Sequence, residues 1–365
     1  MKVKELSNYL ESLAPLSYQE SYDNCGLLVG SDQMEITKAL VTLDCTEEVV
    51  REAMAQNCNL IIAHHPVIFG GIKKINGKND VERSLILAIK ENIAIYAIHT
   101  NLDNIKLGVN QKIAERLGLN QTQILAPKSA TLQKLVTFVP TSHLTKVQDA
   151  LFSAGAGQIG NYSECGFSLS GEGSFKANEE ANPFVGKIGE RHQEVETRLE
   201  VILPSHISTS LIRILKEVHP YEEVAYDLYS LQNQNPEVGS GLIGEMDQEL
   251  SEQEFLAYLK KAMELKMIRF TSFNAKKIKK VAICGGAGSF LLKAAMSQGA
   301  DAFVSADFKY HEFFDAEKSI LIADMGHYES EKFTKSLLIE LILKKFPTFA
   351  VLLSKTDTNP INYYS

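Results

Sequence analysis

Short, strongly apolar stretches alternate with helix-forming stretches at both ends of the chain, and this alternation limits the fold more than any other feature. Near the amino end KALVTLD is followed by TEEVVREAMAQ, NLIIAHH by VERSLILAIKEN, and IAIYAIHTN by NQKIAERLG. The scheme returns near the carboxyl end in KKVAICGG, SFLLKAAMSQG, DAFVSADF, SILIADMG, a helix from about Glu329, and FAVLLS. Such alternation predicts βαβ units, because parallel strands are buried on both faces and need a helix to carry the chain back. Between about Lys128 and Asn235 the pattern changes to KLVTFVP, a helix near HLTKVQDALFSAG, GFSLSGEGSFK, RLEVILP, a helix in SHISTSLIRILKEV, and VAYDLYSL. That order is βαββαβ, the ferredoxin-like arrangement. It is entered and left through ILAPKSA and QNQNPEVGSG, whose Pro, Asn and Gly read as linkers. The predicted fold is a two-part α/β domain with largely parallel sheets, residues 1–127 plus 236–365, interrupted by an inserted ferredoxin-like domain, residues 128–235. Within the insert, GEGSFKANEEANPFVGKIGE is expected to form a long mobile hairpin loop.

A chain of 365 residues, 45% hydrophobic and 22% charged, can bury two such cores. Its formal net charge of -8 argues against a general affinity for nucleic acid, which is driven by clustered Lys and Arg. Cys25, Cys45, Cys58, Cys165 and Cys284 stand singly, with no C-x-x-C pair, so neither a disulfide framework nor a thiolate zinc site is expected. The expected compartment is the cytoplasm. The opening MKVKELSNYLESLAPLSYQES is expected to be an amphipathic helix, since Glu5, Asn8, Glu11 and Ser12 interrupt the apolar core that a signal peptide needs. No apolar run approaches the ~20 residues that cross a bilayer. LLIELILKKF is broken by Glu340 and reads as a buried helix face.

Ligands in an open α/β sheet gather at the carboxyl ends of strands, where several loops converge. His64 and His65 follow an apolar strand directly and are themselves followed by Pro66, which cannot extend the ladder. A turn there lets both imidazoles face one cavity, whereas a continuing strand would send them to opposite faces. A second strand ends in His99, Thr100, Asn101 and Asp103, and the Asp103 carboxylate is able to bridge two cations. A third runs into a helix that carries His327 and Glu331 at i and i+4 on one face, a spacing that resembles the paired ligands of metallohydrolase helices. His64, His65, Asp103, His327 and Glu331 form a mixed nitrogen and oxygen set that suits two divalent ions, Zn foremost, with Mn, Fe, Co or Ni also accommodated.

Other residues admit two readings each. Asp23 and Asn24 of DNCGLLVG either line the site or cap a turn. The backbone of CGGAGSF either cradles a phosphate or makes a tight strand-to-helix turn. Asp307 and His311, at i and i+4 after a strand, either support a ligand or act as a general base, or are ordinary helix-start polarity. His143, His192 and His206 carry no assigned role.

The stretches DNCGLLVG, IIAHHPVIF, IHTNLD, CGGAGS, SADFKYHEF and DMGHYESE together resemble the NIF-three-like family, also described as GTP cyclohydrolase I type 2 homologues, over essentially the whole chain. The insert, ending in HPYEEVAYDLYSL, looks like that of the longer bacterial members, whose insert is similar to CutA and PII-type trimeric modules. The resemblance implies a dinuclear site on His64, His65, Asp103, His327 and Glu331, and a toroidal homohexamer with the sites facing its inner cavity. Tyr22 stands where many members carry Trp, and Asp307 where Glu is common; neither is a metal ligand. The implied activity is metal-dependent hydrolysis of a purine nucleotide, opening the guanine imidazole ring with release of formate, with His311 or Asp307 moving the proton. Phosphomonoester or phosphodiester hydrolysis and a non-enzymatic metal-binding or regulatory ring are the alternatives.

Overall fold

The computed structural model describes residues 1–364. Its first part runs α1 (Val3–Leu13), β1 (Gly26–Val29), β2 (Lys38–Thr42), α2 (Glu47–Ala55), β3 (Leu60–Ala63), α3 (Asp80–Lys90), β4 (Ala94–Ala97), α4 (Thr100–Asp103), α5 (Val109–Leu117) and β5 (Asn120–Pro127). Next come β6 (Leu132–Pro140), α6 (Leu144–Ser153), β7 (Gly166–Lys176), β8 (Arg191–Pro204), α7 (Ser208–Val218) and β9 (Tyr226–Ser230). The last part runs β10 (Gly239–Ser251), α8 (Glu252–Ala262), β11 (Arg269–Phe270), β12 (Lys277–Ala287), α9 (Leu292–Ser297), β13 (Ala302–Ala306), β14 (Leu321–Asp324), α10 (His327–Glu331), α11 (Thr334–Lys345) and β15 (Ala350–Leu353). The chain divides into two compact units, one of residues 1–127 with 236–365 and one of residues 128–235.

The first unit holds two sheets. One has the order β1-β4-β3-β2-β15, and its four inner and carboxyl-end strands are parallel while β1 pairs antiparallel at the edge. The other has the order β11-β14-β13-β12-β10-β5 and is mixed: β12, β13 and β14 are parallel, whereas β11, β10 and β5 join antiparallel. The expectation of largely parallel sheets therefore needs correction for this sheet. The cause is local, because β5 leads into the second unit and β10 leads out of it. Two strands flanking one excursion of the chain lie side by side in opposite directions. The stretches read as linkers are partly strand: Ile124 to Pro127 of ILAPKSA end β5, and Gly239 to Gly241 of QNQNPEVGSG begin β10.

Continuous apolar runs are explained by burial on both faces. Val41, Ile62 and Tyr96 face a core shared with Leu6, Leu10, Ile113, Phe255, Leu338 and strand residues Val281, Val304 and Ala323 of the second sheet. Their sequence neighbours Leu40, Ile61 and Ile95 turn the other way, onto Val49, Val50 and Ala53 of α2 and Leu85 and Ala88 of α3. Adjacent residues pointing to opposite faces are what strand geometry requires. The opening segment is helical as expected, burying Val3, Leu6 and Leu10 along one stripe.

The second unit has one sheet of order β7-β8-β6-β9, antiparallel throughout, with α6 and α7 packed on one face. Leu135, Val139, Leu199 and Val201 of the strands meet Val147, Leu151, Leu211 and Leu215 of the helices. The expected hairpin loop is shorter than the sequence suggests. GEGSFK belongs to β7, paired through Lys176↔Arg191, so residues 177–190 make the connection. Serine and glycine in an exposed strand leave no apolar alternation to detect. Among the described residues, no helix is long and apolar enough to cross a membrane.

Candidate metal centre

The candidate residues lie where parallel strands of the first unit end. His64 and His65 follow β3, His99 and Asp103 follow β4, Asp307 follows β13, and His327 and Glu331 sit on the short helix beyond β14. His64 N and His65 N donate to Thr42 O and Leu43 O at 3.1 and 2.9 Å, which fixes the backbone as the strand gives out. Both rings then face one another, centroids 5.0 Å apart. The tandem imidazoles and the helical His/Glu pair meet across 266 positions of sequence, with His65 Nε2 2.9 Å from Glu331 Oε2.

Glu331 is the shared member. Its side chain is 2% exposed; Oε2 lies 3.1 Å from His327 Nε2, and Oε1 lies 3.9 Å from His64 Nε2. Candidate ligand atoms of His65, His327 and Glu331 form one group within 4.8 Å of one another, those of His64, Asp103 and Glu331 form a second, and those of His64, His65 and His99 form a third. The first two groups share the Glu331 carboxylate.

Two atoms in the second group test whether a metal fits. His64 Nε2 and Asp103 Oδ1 are buried and have no hydrogen-bond partner. They stand 3.6 Å apart, too far for a hydrogen bond and close to the roughly 3.4 Å edge of a tetrahedron with ~2.1 Å bonds. A buried polar atom left alone costs about 1–3 kcal/mol, so two facing each other call for a ligand between them. The donor set fits a divalent metal.

Each ring is also held from behind. His64 Nδ1 is 2.8 Å from Ile98 O, His65 Nδ1 2.8 Å from Asp44 Oδ1, His327 Nδ1 2.7 Å from Asp307 Oδ2 and His99 Nδ1 2.9 Å from Asp23 Oδ1. With Nδ1 engaged, each Nε2 is the nitrogen left for the centre, the arrangement by which proteins orient metal-binding imidazoles. Asp307 achieves this from the left-handed region, φ +57°, where Asp is better tolerated than most residues.

The charges respond to this crowding. Burial opposes a charge on His65, but the hydrogen bonds to Asp44 and Glu331 outweigh it and lift the imidazole to about 10. His327 is likewise lifted to about 9 against burial, chiefly by Glu331. Burial would raise Glu331, yet hydrogen bonding to His327 and His65, with the His64 ring close by, holds it well below the usual carboxylate range. Asp103 goes the other way, pushed up to about 7 by desolvation, with His99 pulling it down and Glu331 pushing it up.

CGGAGS does not form an open phosphate cradle at its glycine pair. Gly285 N donates to Asn110 Oδ1 and Gly286 N to Ser330 Oγ, both at 2.9 Å. Gly286, at φ +62°, is instead needed for space, because a Cβ there would run into Glu331 Oε1. His311 lies apart from the cluster: it is exposed on the 3-10 turn Tyr310–Ala316, its ring against Tyr310. A cavity of about 440 Å³ opens over the centre, walled by Tyr22, Phe69, Phe290, Tyr328, Pro360 and Ile361.

The pattern of the Duf34/NIF3 (NGG1p interacting factor 3) family matches residues 1–360. The chain belongs to this family. As a Duf34/NIF3 protein it is 37% identical over 373 residues to the Staphylococcus epidermidis protein named GTP cyclohydrolase 1 type 2 homolog, with 100% of each chain covered. It is 37% identical over 366 residues to the Bacillus subtilis protein of the same name, covering 99% of this chain and 98% of that one. Its structure is similar to that of the Bacillus cereus protein related to NIF3, with a TM-score of 0.87 at 36% identity, covering 100% of this chain and 99% of that one. A Staphylococcus aureus structure matches with a TM-score of 0.79 at 30% identity and the same coverage.

Three features of this Duf34/NIF3 chain escape a reading of spacing. Asp44 stands just past β2, the same strand-end position that marks the histidines, but a single Asp there carries no pattern. His99 is seen at its strand end, yet only the fold shows its ring 5.2 and 5.1 Å from those of His64 and His65. Asp23 proves to be its anchor, accepting also from Thr100 N and Thr100 Oγ1.

Proposed function

We propose that the chain binds two divalent metal ions, one on His65, His327 and Glu331 and one on His64, Asp103 and Glu331, and is a metal-dependent hydrolase of a purine nucleotide. The observation that carries the reading is the pair of buried, unpartnered atoms His64 Nε2 and Asp103 Oδ1 facing each other beside the shared Glu331. Opening of the guanine imidazole ring with release of formate is its concrete form, supported by the name that the relatives bear. Zn is the first candidate metal, since imidazole and carboxylate donors without thiolate suit it.

Two such ions, when bound, acidify water towards neutral pH and polarise the bond under attack. The chain's own residues do the rest. Asp44 and Asp307 keep His65 and His327 turned inward, and Glu331 belongs to both groups. Tyr22, Phe69 and Phe290 supply walls on which a flat base packs. His99, fixed at Nδ1 by Asp23, takes up a proton at Nε2. Asp307 is a positioning residue through His327, and His311 lies outside the cavity lining, so neither is given the proton transfer.

We read residues 128–235 as a ferredoxin-like module; the βαββαβ order and the sheet order β7-β8-β6-β9 support this. We further propose assembly into the homohexameric ring that the family resemblance implies, supported by the exposed apolar side chains Phe270, Phe290, Tyr310 and Phe314. Light scattering of the purified protein tests the ring; a monomer refutes it.

The test of function is elemental analysis followed by a nucleotide screen on the loaded protein. Two metal equivalents per chain and formate from GTP are expected, both activity and formate vanishing in His327→Ala. Turnover of p-nitrophenyl phosphate without formate would replace the cyclohydrolase chemistry by phosphoryl transfer. A fully loaded protein inert to both would refute the hydrolase.

A further inference from the structure

Beyond Ser354, whose N–H still donates to Val41 O of β2, the segment after β15 belongs to neither sheet, yet its polar groups are engaged by α2 and by residues beside the candidate site. Glu52 of α2 accepts from Ser354 Oγ at 2.6 Å, Lys355 N at 2.8 Å, Thr356 N at 3.2 Å and Thr356 Oγ1 at 2.6 Å. Beyond these, Asn359 Nδ2 donates to Glu329 Oε1 at 3.1 Å, two residues before Glu331. Thr358 sits between the two anchors, and its Oγ1 donates to Asp44 Oδ2 at 2.6 Å. Asp44 Oδ1 is the atom that holds His65 Nδ1 at 2.8 Å.

We propose that Thr358 is a positioning residue for one of the two metals, acting through Asp44 on His65. A carboxylate behind a ligating imidazole fixes the ring's tautomer and direction only if the carboxylate is itself fixed. Asp44 stands at the edge of the site, its side chain 36% exposed, and its second oxygen is turned to Thr358. Without that hydroxyl, Asp44 rotates towards solvent and His65 loses its alignment with Glu331 and His327. His64 is held from behind by a backbone carbonyl, Ile98 O, and has no link to this segment. The effect therefore falls on the group of His65, His327 and Glu331 and spares the group of His64, Asp103 and Glu331. The inference rests on the metal reading above and adds to it a dependence on a residue far from any strand end.

The experiment compares full-length wild type, Thr358→Val, Thr358→Ser and Asp44→Asn, each stripped of metal and titrated with Zn2+ against a chromophoric chelator. Wild type is expected to show two binding steps per chain. Loss of a ligand's supporting partner weakens metal affinity roughly 10–100-fold, and Thr358 acts one bond further out, so Thr358→Val is expected to weaken one step by about tenfold. The other step stays within about twofold, Thr358→Ser restores the wild-type curve, and Asp44→Asn weakens the same step more strongly. The proposal is overturned if Val and Ser behave alike, if both steps move together, or if Asp44→Asn strikes the other step. A wild type that binds no Zn2+ would instead refute the metal centre itself, and the proposal with it.

Discussion

Gly286→Ala places a single methyl group against Glu331, the residue that both candidate ligand groups share. Gly286 has φ +62°, in the left-handed region, which an L residue enters at a cost of roughly 1–2 kcal/mol. The new Cβ would overlap Glu331 Oε1 and lie 3.4 Å from His327 Cε1. Relieving the overlap means moving a buried carboxylate held by two imidazoles or bending β12, and overpacking of this kind costs about 1–3 kcal/mol. The sum is roughly 2–5 kcal/mol, or a fall of about 4–10 °C in Tm at ~2 °C per kcal/mol for a unit of this size. Thermal unfolding is followed on metal-free protein, so that bound metal does not add its own stabilisation. Reloading with Zn2+ and elemental analysis should then give fewer than two ions per chain. A variant melting within about 1 °C of wild type and holding two ions would refute the close-approach argument. If CGGAGS bound phosphate instead, the same change would weaken nucleotide binding and leave the metal content intact.

Glu331→Gln keeps the shape and removes the charge that both groups use, so neither ion should survive desalting; retention of one ion would show that Glu331 serves a single group. Acid should release the segment after β15. Burial would raise Glu52, but hydrogen bonds from Lys355, Ser354 and Thr356 hold its folded pKa below its unfolded value, so its contribution is present above roughly pH 4.3 and lost as pH falls through the folded pKa. Hydrogen exchange at Lys355 and Thr356 should therefore lose protection below about pH 4, and the pH dependence should be absent in Glu52→Gln. A loss of protection on acidification that persists in Glu52→Gln would refute it.

What the sequence revealed follows from what each element buries. β2, β3, β4, β13 and β14 are enclosed on both faces, and their uninterrupted Val, Ile, Leu and Ala runs announce them. β10 is different: Gly239, Gly241 and Gly244 lie in its first half, and Asp247 to Glu249 are exposed, so its first residues read as the end of a linker and the rest shows no strand pattern. Its place is set by pairing with β5 and β12 rather than by its own composition. In the site, His64 and His65 were legible because two polar residues ending an apolar run have nothing to pack against. His327 and Glu331 were legible because helical spacing aligns them. Asp44 and Thr358 were not, since each acquires meaning only from a neighbour distant in sequence, and His99 showed its place at a strand end but not its anchor Asp23.

The parallel pairing of β15 with β2 carries a consequence for synthesis on the ribosome. β2, β3 and β4 emerge early, but the outer edge of β2 stays open until Ala350–Leu353 has been made. At about 5–20 residues per second, that is a wait of roughly 15–60 s with an apolar strand edge bare to other nascent chains. Shielding by a chaperone, or slow release of the final helix and strand, would govern how much of this protein reaches its native state.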